Sequence, residues 1–478
     1  MNKGIFILGA VVVIVLIGVL MWTGCKHPET IPSEKLTKKT LTFWGVWDDS
    51  EDFEEVIRDF HAEYSNITIE YRKLKAEEYE EALLRAWAAG EGPDIFMVHN
   101  SWVQEYQRFL APMPESVDMA RFSVTKNLFG KEEIKVALQS IDFPQAVEID
   151  DYFVDVVADD AIIDNQVYGL PLSVDTLALY YNKDLLAAEG VVFPPTVWQE
   201  FASNADSLVP RLTKTDESGR IIQAGAAMGT SSNIDRSIDI LSLLMMQNGT
   251  VMINEASNKV SFADEINKIV LGESALEYYT DFANPATEAY SWNDSMTDAL
   301  ELFIQGQLAF MFGYSYHLDS IEQRGARLNY DVAPMLHINP DGTDNNPNGV
   351  GSKAINYANY WLLGGYKESD YIDEAWIFIQ TAAMGKDRDN KYIASKYLNQ
   401  TNKPAALLEL VSLQQDDPLL GVFATQAISA ASWYTGYDAV ATEEYLGDMI
   451  DNVVSGKSTP LQAIRLAADQ VQKTLSTK

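Results

Sequence analysis

The order of strands and helices at the start of the folded region limits the fold more than any other feature of the sequence. The pattern predicts strand, helix, strand, helix and strand at residues 41–44, 50–60, 67–71, 79–89 and 95–98. The first helix has apolar residues at the spacing of one buried face, namely Phe53, Val56, Ile57 and Phe60. Strands that alternate with helices predict a parallel sheet covered by helices, so the sequence indicates an α/β fold.

Length and charge exclude several classes of protein. The chain has 478 residues, which is more than one hydrophobic core usually supports, so we expect two domains. Asp and Glu number 69 against 35 Lys and Arg, and the formal net charge is −34. Nucleic acid is therefore excluded as a partner, because binding it requires a basic surface. The same negative field disfavours anionic ligands.

The N-terminal residues indicate attachment to a membrane. Lys3 precedes an uncharged run at residues 4–24, which is longer than the apolar core of a secretory signal peptide and long enough to span a bilayer. The run leads into Cys25, and this junction resembles the lipobox of bacterial lipoproteins, although Trp22 stands where that motif usually has leucine. Residues 1–25 are therefore predicted to be a lipoprotein signal with lipidation at Cys25, or an uncleaved membrane anchor. Residues 26–39 are polar and are predicted to be a linker.

Strands and helices continue to alternate in the rest of the chain. The pattern predicts a strand at 177–181, helices at 235–247 and 294–305, a buried strand at 308–312 that ends at Gly313, and an amphipathic helix at 459–475. Cys25 is the only cysteine and lies before the folded region, so the sequence offers that region no disulfide or thiol nucleophile.

Four stretches beyond residue 40 carry a family resemblance. They are Phe43 with the turn Gly90-Glu91-Gly92-Pro93-Asp94-Ile95; Tyr168-Gly169-Leu170-Pro171 with residues 179–186 and 195–201; residues 303–314; and residues 429–434 with 455–463. In this order and spacing they resemble the extracellular solute-binding proteins of ABC importers, in the carbohydrate-binding group that includes maltose-binding protein.

The resemblance implies a two-lobe, periplasmic-binding-protein-like fold of type II. Each lobe would be α/β and discontinuous in sequence, with a hinge between the lobes and the ligand in the cleft. Lobe 1 is predicted at 40–169 with 358–412 returning to it, and lobe 2 at 170–357 with 413–478 returning to it. The chain would cross between the lobes near 168–174, 353–360 and 412–418.

The turn after the first strand supplies the first candidate site residues, which are Trp44, Trp47, Asp48 and Asp49. In parallel α/β sheets, ligands lie beyond the carboxyl ends of the strands. A flat aromatic ring covers the apolar face of a sugar, and a carboxylate accepts hydrogen bonds from its hydroxyl groups. The alternative is that Trp44 and Trp47 belong to the core and that the aspartates only cap the helix.

Nine further candidates follow from the ends of strands, from the crossings and from the resemblance. They are Asn100, Trp102, Asp175, Trp292, Tyr314, Tyr316, Trp361, Trp433 and Tyr434. In the family, a tryptophan at the position of Trp433 stacks on a sugar ring. The resemblance leaves open whether Tyr314 or Tyr316 stacks, because maltose-binding protein has tryptophan in that segment. Asn100 could instead only form a turn, and the tryptophans could only pack in the core. Asp175 could instead form a hydrogen bond within the hinge.

The resemblance implies a monomeric, non-enzymatic receptor that captures a carbohydrate and delivers it to the membrane-spanning subunits of an ABC permease. It would lie on the extracellular face of the cell membrane. The alternatives are a receptor of the same fold for a peptide or polyamine, and a cell-surface glycoside hydrolase. The five histidines do not have the spacing of metal ligands, and the sequence has no P-loop or other cofactor motif, so we expect no metal and no cofactor.

Overall fold

Two separate hydrophobic cores organise the described part of the chain, which comprises residues 35–126, 132–338 and 355–476 of a computed structural model. The first core is formed by residues 41–174 and 358–430, and the second by residues 177–336 and 423–475. Residues 1–25, with the predicted lipidation site, lie outside the described residues.

Both lobes contain strands and helices. The strands are β1 Lys39–Gly45, β2 Ile67–Lys73, β3 Ile95–His99, β4 Ser116–Lys126, β5 Glu132–Asp142, β6 Ile162–Ile163, β7 Gln166–Val167, β8 Leu170–Pro171, β9 Asp175–Thr176, β10 Ala178–Asn182, β11 Lys214–Thr215, β12 Ile221–Ala226, β13 Ile253–Asn254, β14 Lys259–Val260, β15 Leu308–Gly313, β16 Tyr330–Ala333, β17 Asn356–Asn359, β18 Trp361–Gly365 and β19 Ala430–Ala431.

The α-helices are α1 Ser50–Glu63, α2 Ala76–Ala89, α3 Val103–Tyr106, α4 Ile149–Tyr152, α5 Val156–Ala161, α6 Lys183–Ala188, α7 Trp198–Phe201, α8 Leu208–Leu212, α9 Ser237–Gln247, α10 Leu271–Asp281, α11 Ala299–Ile304, α12 His317–Arg324, α13 Ile372–Met384, α14 Ala394–Thr401, α15 Leu408–Gln414, α16 Leu420–Ala427, α17 Ala439–Val454 and α18 Pro460–Val471.

The first lobe contains a five-stranded sheet in the order β2-β1-β3-β18-β8. Strand β1 runs parallel to β2 and β3, which confirms that part of the predicted sheet. The other half is antiparallel, because β18 returns from a distant part of the chain and pairs with β3 and β8. Helix α1 packs on this sheet through Phe53, Val56 and Phe60, and the ring of Phe53 meets that of Phe43 edge-on at 5.1 Å.

The second lobe contains a mixed sheet in the order β11-β12-β15-β10-β16. Two predicted helices begin later than the sequence indicates. Helix α9 begins at Ser237 because Arg236 has the left-handed backbone conformation, and α11 begins at Ala299 because the Asp298 carboxylate caps it. The terminal helix α18 has the predicted start, with Thr459 as its N-cap and Pro460 in its first turn.

Three short strands join the two lobes in a sheet of their own, in the order β19-β17-β9. Strands β9 and β17 are antiparallel, and β17 and β19 are parallel. The chain leaves the first core at β9 and returns to it at β17. The third passage is completed only beyond β19, because α16 places Phe423 in the second core and Ala424 in the first. The exact lobe boundaries stay predictions.

Two findings concern the described residues as a set. None of their helices has both the length and the apolar composition that crossing a membrane requires. Within the same ranges, no three His, Cys, Asp or Glu side chains come together as metal ligands would.

Candidate ligand-binding cleft

A small cavity lies between the two lobes, beside the three strands β9, β17 and β19 that join them, which we call the hinge strands. Its volume is about 30 Å³, and residues of both cores enclose it. The first lobe contributes the end of β3, the hinge contributes β17, and the second lobe contributes the start of α9, the segment after β19 and the first turns of α17. The lining side chains that bear on function are His99, Asn100, Arg236, Asp239, Ser242, Tyr357, Trp433, Tyr434 and Glu443.

Arg236 forms the charged centre of this cavity. Its Nε and Nη2 donate to the two oxygens of Asp239, each at 2.8 Å, and Nη2 also donates to Glu443 at 2.9 Å. Burial alone would lower the pKa of Arg236, but the carboxylates of Asp239 and Glu443 outweigh it, and the pKa lies well above its ordinary value. The guanidinium therefore stays charged between two carboxylates.

A chain of hydrogen bonds connects this cluster with the first lobe. Ser101 N–H donates to His99 Nδ1, so we assign the proton to Nε2, which donates to Asn359 Oδ1 at 3.1 Å. Asn359 Nδ2 then donates to Asp239 at 3.2 Å. Burial and the nearby Arg236 lower the pKa of His99, which is neutral at pH 7. The residues run in order from β3, through the hinge strand β17, to α9.

Trp433 and Tyr434 form an aromatic wall of the cavity, where the sequence placed candidate ligand contacts. The Trp433 Nε1–H donates to Ser242 Oγ at 3.2 Å, and the ring lies edge-on to Tyr434 at 5.6 Å. Trp433 is half-buried, whereas Tyr434 belongs to the second core. Part of the Trp433 surface therefore remains exposed, and Tyr434 packs against it.

Trp47 has a strained backbone at the carboxyl end of β1. Its φ is 64°, and Asp48 N–H donates to Val46 carbonyl at 2.6 Å, which closes a three-residue γ-turn around Trp47. A bulky side chain rarely adopts positive φ, and such strain concentrates at functional sites. The side chain is 60% exposed, unlike a core tryptophan. Since β1 and β3 are parallel, Trp47 lies at the same edge of the sheet as His99.

Asp48 and Asp49 hold this turn in place. The buried Asp48 carboxylate accepts hydrogen bonds from Tyr397 at 2.8 Å and from Lys403. Asp49 is the N-cap of α1, forms a capping box with Asp52 and pairs with Lys73 at 3.1 Å. Asp49 therefore caps helix α1, as the alternative interpretation proposed. Asp48 holds the strained turn in place by its contacts with Tyr397 in α14 and with Lys403 just after it.

An aromatic cluster stands behind His99 in the first lobe. Trp361 meets His99 at 5.2 Å and Trp102 at 5.4 Å, both edge-on. Trp102 packs against both cores and therefore lies between the lobes. Trp44 lies farther along β1, where its ring faces the Arg72 guanidinium at 5.0 Å. Trp102 and Trp361 contact His99, which lines the cavity, and do not line it themselves. Trp44 packs on the first core.

Asn100 lines the cavity and also organises the hinge. Its Nδ2 donates to the Asp160 carboxylate at 3.0 Å, which further accepts from Tyr360 at 2.8 Å and from Ser432. Burial raises the pKa of Asp160 to about 6, and these hydrogen bonds limit the increase. Because Ser432 follows β19, Asp160 links the first lobe to the last crossing.

Asp175 lies at the first crossing between the lobes, as Asp160 lies beside the last one. It accepts hydrogen bonds from the Ser315 backbone at 2.9 Å and the Ser315 hydroxyl at 2.7 Å, and burial raises its pKa to about 6. This placement favours the alternative of a hinge hydrogen bond. Tyr314 is buried and donates to Asp239 at 2.6 Å, and Tyr316 stacks on it at 5.7 Å with its own ring partly exposed.

Trp292 lies within the second core. Its indole has no exposed surface, and Nε1 donates to Asn233 at 2.9 Å. This placement favours the packing alternative for Trp292.

The charged centre of the cavity is absent from the sequence-based candidates. Arg236 and Asp239 stand at the start of α9, where an acidic residue such as Asp239 usually compensates the helix dipole, and Glu443 lies in the second turn of α17. Periodicity could not distinguish them from ordinary charged residues. One signal was available for His99, which directly precedes the candidate Asn100 at the end of a strand.

Comparisons with known proteins agree with this architecture. A family model of bacterial extracellular solute-binding proteins matches residues 55–418. A putative binding protein of Brucella abortus is 21% identical over 428 residues, which cover 88% of this chain and 89% of that protein. The maltodextrin-binding protein MdxE of Bacillus subtilis is 22% identical over 384 residues, with coverages of 79% and 76%.

A solved structure shows the same fold. It is an ABC substrate-binding protein from Listeria monocytogenes in complex with cycloalternan, with a TM-score of 0.67, 16% identity, and coverage of 92% of this chain and 100% of that one. The predicted two-lobe fold of type II is thereby confirmed. Since the family model matches well over half of the sequence, the chain belongs to the bacterial extracellular solute-binding proteins.

Proposed function

We propose that this chain is a membrane-tethered receptor that captures a sugar or oligosaccharide between its two lobes and delivers it to an ABC permease. The observation that carries the proposal is the cavity beside the hinge, which takes its lining from both lobes. Related proteins are named for maltodextrin binding or were solved with cycloalternan, and both ligands are oligosaccharides.

The size of the cavity indicates how capture works. Ligand sites usually enclose about 300–1,000 Å³, whereas this cavity of about 30 Å³ holds little more than a water molecule. A sugar therefore enters only when the lobes separate. A ligand that contacts both lobes binds the closed arrangement better and shifts the population towards it.

The side chains around the cavity suit sugar recognition. Trp433 offers a flat apolar surface, and Glu443 and Asn100 offer hydrogen-bonding groups for hydroxyls. We propose that Trp47 extends this surface at the edge of the first lobe. The proposed function is binding without catalysis, as expected of the bacterial extracellular solute-binding proteins to which the chain belongs.

We propose that the membrane tether precedes the first lobe. Lys35 pairs with Asp373 at 3.0 Å, and Lys39 pairs with Glu374 at 2.6 Å, so the start of the described chain is fixed to helix α13. Lipidation at Cys25 or an uncleaved helix at residues 4–24 would then hold this lobe near the membrane. Deletion of residues 1–34 should release a soluble, folded protein, and an unfolded product by circular dichroism would contradict the tether.

The function is tested by thermal unfolding against a ligand panel. Maltotriose, mannotriose, galactotriose, spermidine and a tripeptide would each be added to the tether-free protein. A ligand at 100 times its Kd stabilises the folded state by about 2.7 kcal/mol, which is easily measured. Stabilisation by a trisaccharide, followed by calorimetry and a check that no new reducing ends appear, supports the proposal. Stabilisation by spermidine or the peptide alone would replace it with the other receptor classes.

A further inference from the structure

We propose that the cleft selects uncharged sugars and excludes uronic acids, with the Glu443 carboxylate as the acceptor for a ligand hydroxyl. This inference rests on the proposed function and specifies its substrate class. It follows from the charges that the fold brings to the cavity.

The positive charge in the cavity is already neutralised. Among the lining residues that the structure describes, Arg236 is the one with a permanent positive charge. Its Nε and Nη2 bind Asp239, while Nη2 and Nη1 bind Glu443 at 2.9 and 3.4 Å. The ligand carboxylate of a uronic acid would have to displace one of these protein carboxylates. The displaced group would then lose its partner in a partly buried site, which is unfavourable.

The carboxylates of Asp239 and Glu443 differ in how readily each can accept a further hydrogen bond. Asp239 is buried, and its Oδ2 accepts from Tyr314, Asn359 and Arg236 while its Oδ1 faces Arg236, so a ligand hydroxyl has little access to it. Glu443 is 43% exposed, and Arg236 occupies only part of its acceptor capacity. The open acceptor of the cavity is therefore Glu443, which suits a hydroxyl donor and repels an anion.

The surroundings do not restore positive charge. His99 is neutral, because burial and Arg236 oppose its protonation. One guanidinium faces two carboxylates, so the cluster of Arg236, Asp239 and Glu443 has a net charge of −1. Asp235 adds another carboxylate beside Arg236, where it accepts from Tyr316 at 2.6 Å and lies 3.3 Å from His317 Nε2. The overall charge of −34 acts in the same direction.

The test compares ligands that differ only in a carboxylate. Maltotriose, mannotriose and α-1,4-galactotriose would each be titrated beside the form oxidised at C6, by calorimetry on the tether-free protein. The neutral member of the binding pair should have at least about tenfold higher affinity. Two variants accompany it: Glu443→Gln, which keeps the size but removes the charge, and Glu444→Gln, a control at the next, exposed position of α17.

Glu443→Gln should weaken the neutral sugar by about tenfold or more, the scale of a hydrogen bond to a charged group. It should also reduce the preference over the oxidised form, because Arg236 loses one carboxylate. Glu444→Gln should change neither affinity. An oxidised sugar that binds as tightly as its neutral parent, or an unchanged preference in Glu443→Gln, would overturn the inference while leaving a sugar receptor. Failure of all sugars in both forms would instead remove the proposed function, and this inference with it.

Discussion

Replacement of Trp47 by glycine and by alanine separates backbone strain from side-chain contacts. Both variants lose the indole, and only alanine keeps the steric conflict of a side chain at a φ of 64°. The γ-turn that Asp48 N–H closes onto Val46 requires this conformation whatever residue stands at position 47. The difference between the two variants therefore measures the strain.

The expected difference can be worked out from two opposing effects. A left-handed conformation costs an L-residue about 1–2 kcal/mol, a cost that glycine does not have. Glycine instead lowers the free energy of unfolding by about 0.4–1 kcal/mol relative to alanine, because it gives the unfolded chain more conformational entropy. We expect the glycine variant to be more stable than the alanine variant by about 0.5–1 kcal/mol, or about 2 °C in midpoint for a lobe of this size.

Urea unfolding of the tether-free protein measures this difference, and the same pair of substitutions at Trp44 is the control. Trp44 lies within β1, where glycine should instead be less stable than alanine by about 0.5–1 kcal/mol. Both Trp47 variants should bind the ligand more weakly and to the same extent. An alanine variant at position 47 that is as stable as the glycine variant would refute the strain argument, and undiminished affinity in both would remove Trp47 from the site.

Three further predictions concern the cleft and the hinge. Trp433→Ala should weaken sugar binding by about 1–3 kcal/mol, because it removes the half-buried aromatic wall, and calorimetry with unchanged affinity would contradict this. Burial raises the pKa of Asp160 from 3.8 to about 6, so between these values the folded protein holds a proton that the unfolded chain has released, and stability falls as pH rises. Urea melts should show that the free energy of unfolding of Asp160→Asn declines with pH by up to about 3 kcal/mol less than that of the wild type. An equal decline in the two proteins would contradict this prediction. A saturating sugar should reduce the radius of gyration in small-angle scattering, and an identical curve for a sugar known to bind would count against hinge closure.

The elements formed by neighbouring residues could be predicted from the sequence. Alternating polarity and helical spacing identified β1, α1, β2 and β3 because those patterns reflect local burial. The partner of β3 on its other side could not be predicted in this way. Strand β18 pairs with β3 in antiparallel register, with Trp361 opposite His99, and no local pattern encodes contacts between residues so far apart in sequence.

The candidate site was predictable where its residues are aromatic or follow a strand. Asn100, Trp433 and Tyr434 line the cavity, and the resemblance or the end of a strand identified each of them. Arg236 and Glu443 meet only in the folded protein, since they come from α9 and α17. Their pairing depends on the packing of the second lobe, and a charge at the start of a helix does not reveal whether its partner will be solvent or another side chain.

Several of the contacts that close the cleft are polar, and this bears on how easily it opens. Asn359 donates to Asp239, Gln104 donates to Tyr437 at 2.9 Å, and Ser432 donates to Asp160. Each such hydrogen bond contributes only about 0.5–1.5 kcal/mol net, because water replaces it when the lobes separate. Separation at apolar surfaces would cost more, since it would expose area to water. The loss of these exchangeable hydrogen bonds therefore costs little when the lobes separate, and a ligand that bridges the lobes adds contacts that the open form lacks. The proposed receptor would thus combine easy opening with closure that depends on the ligand.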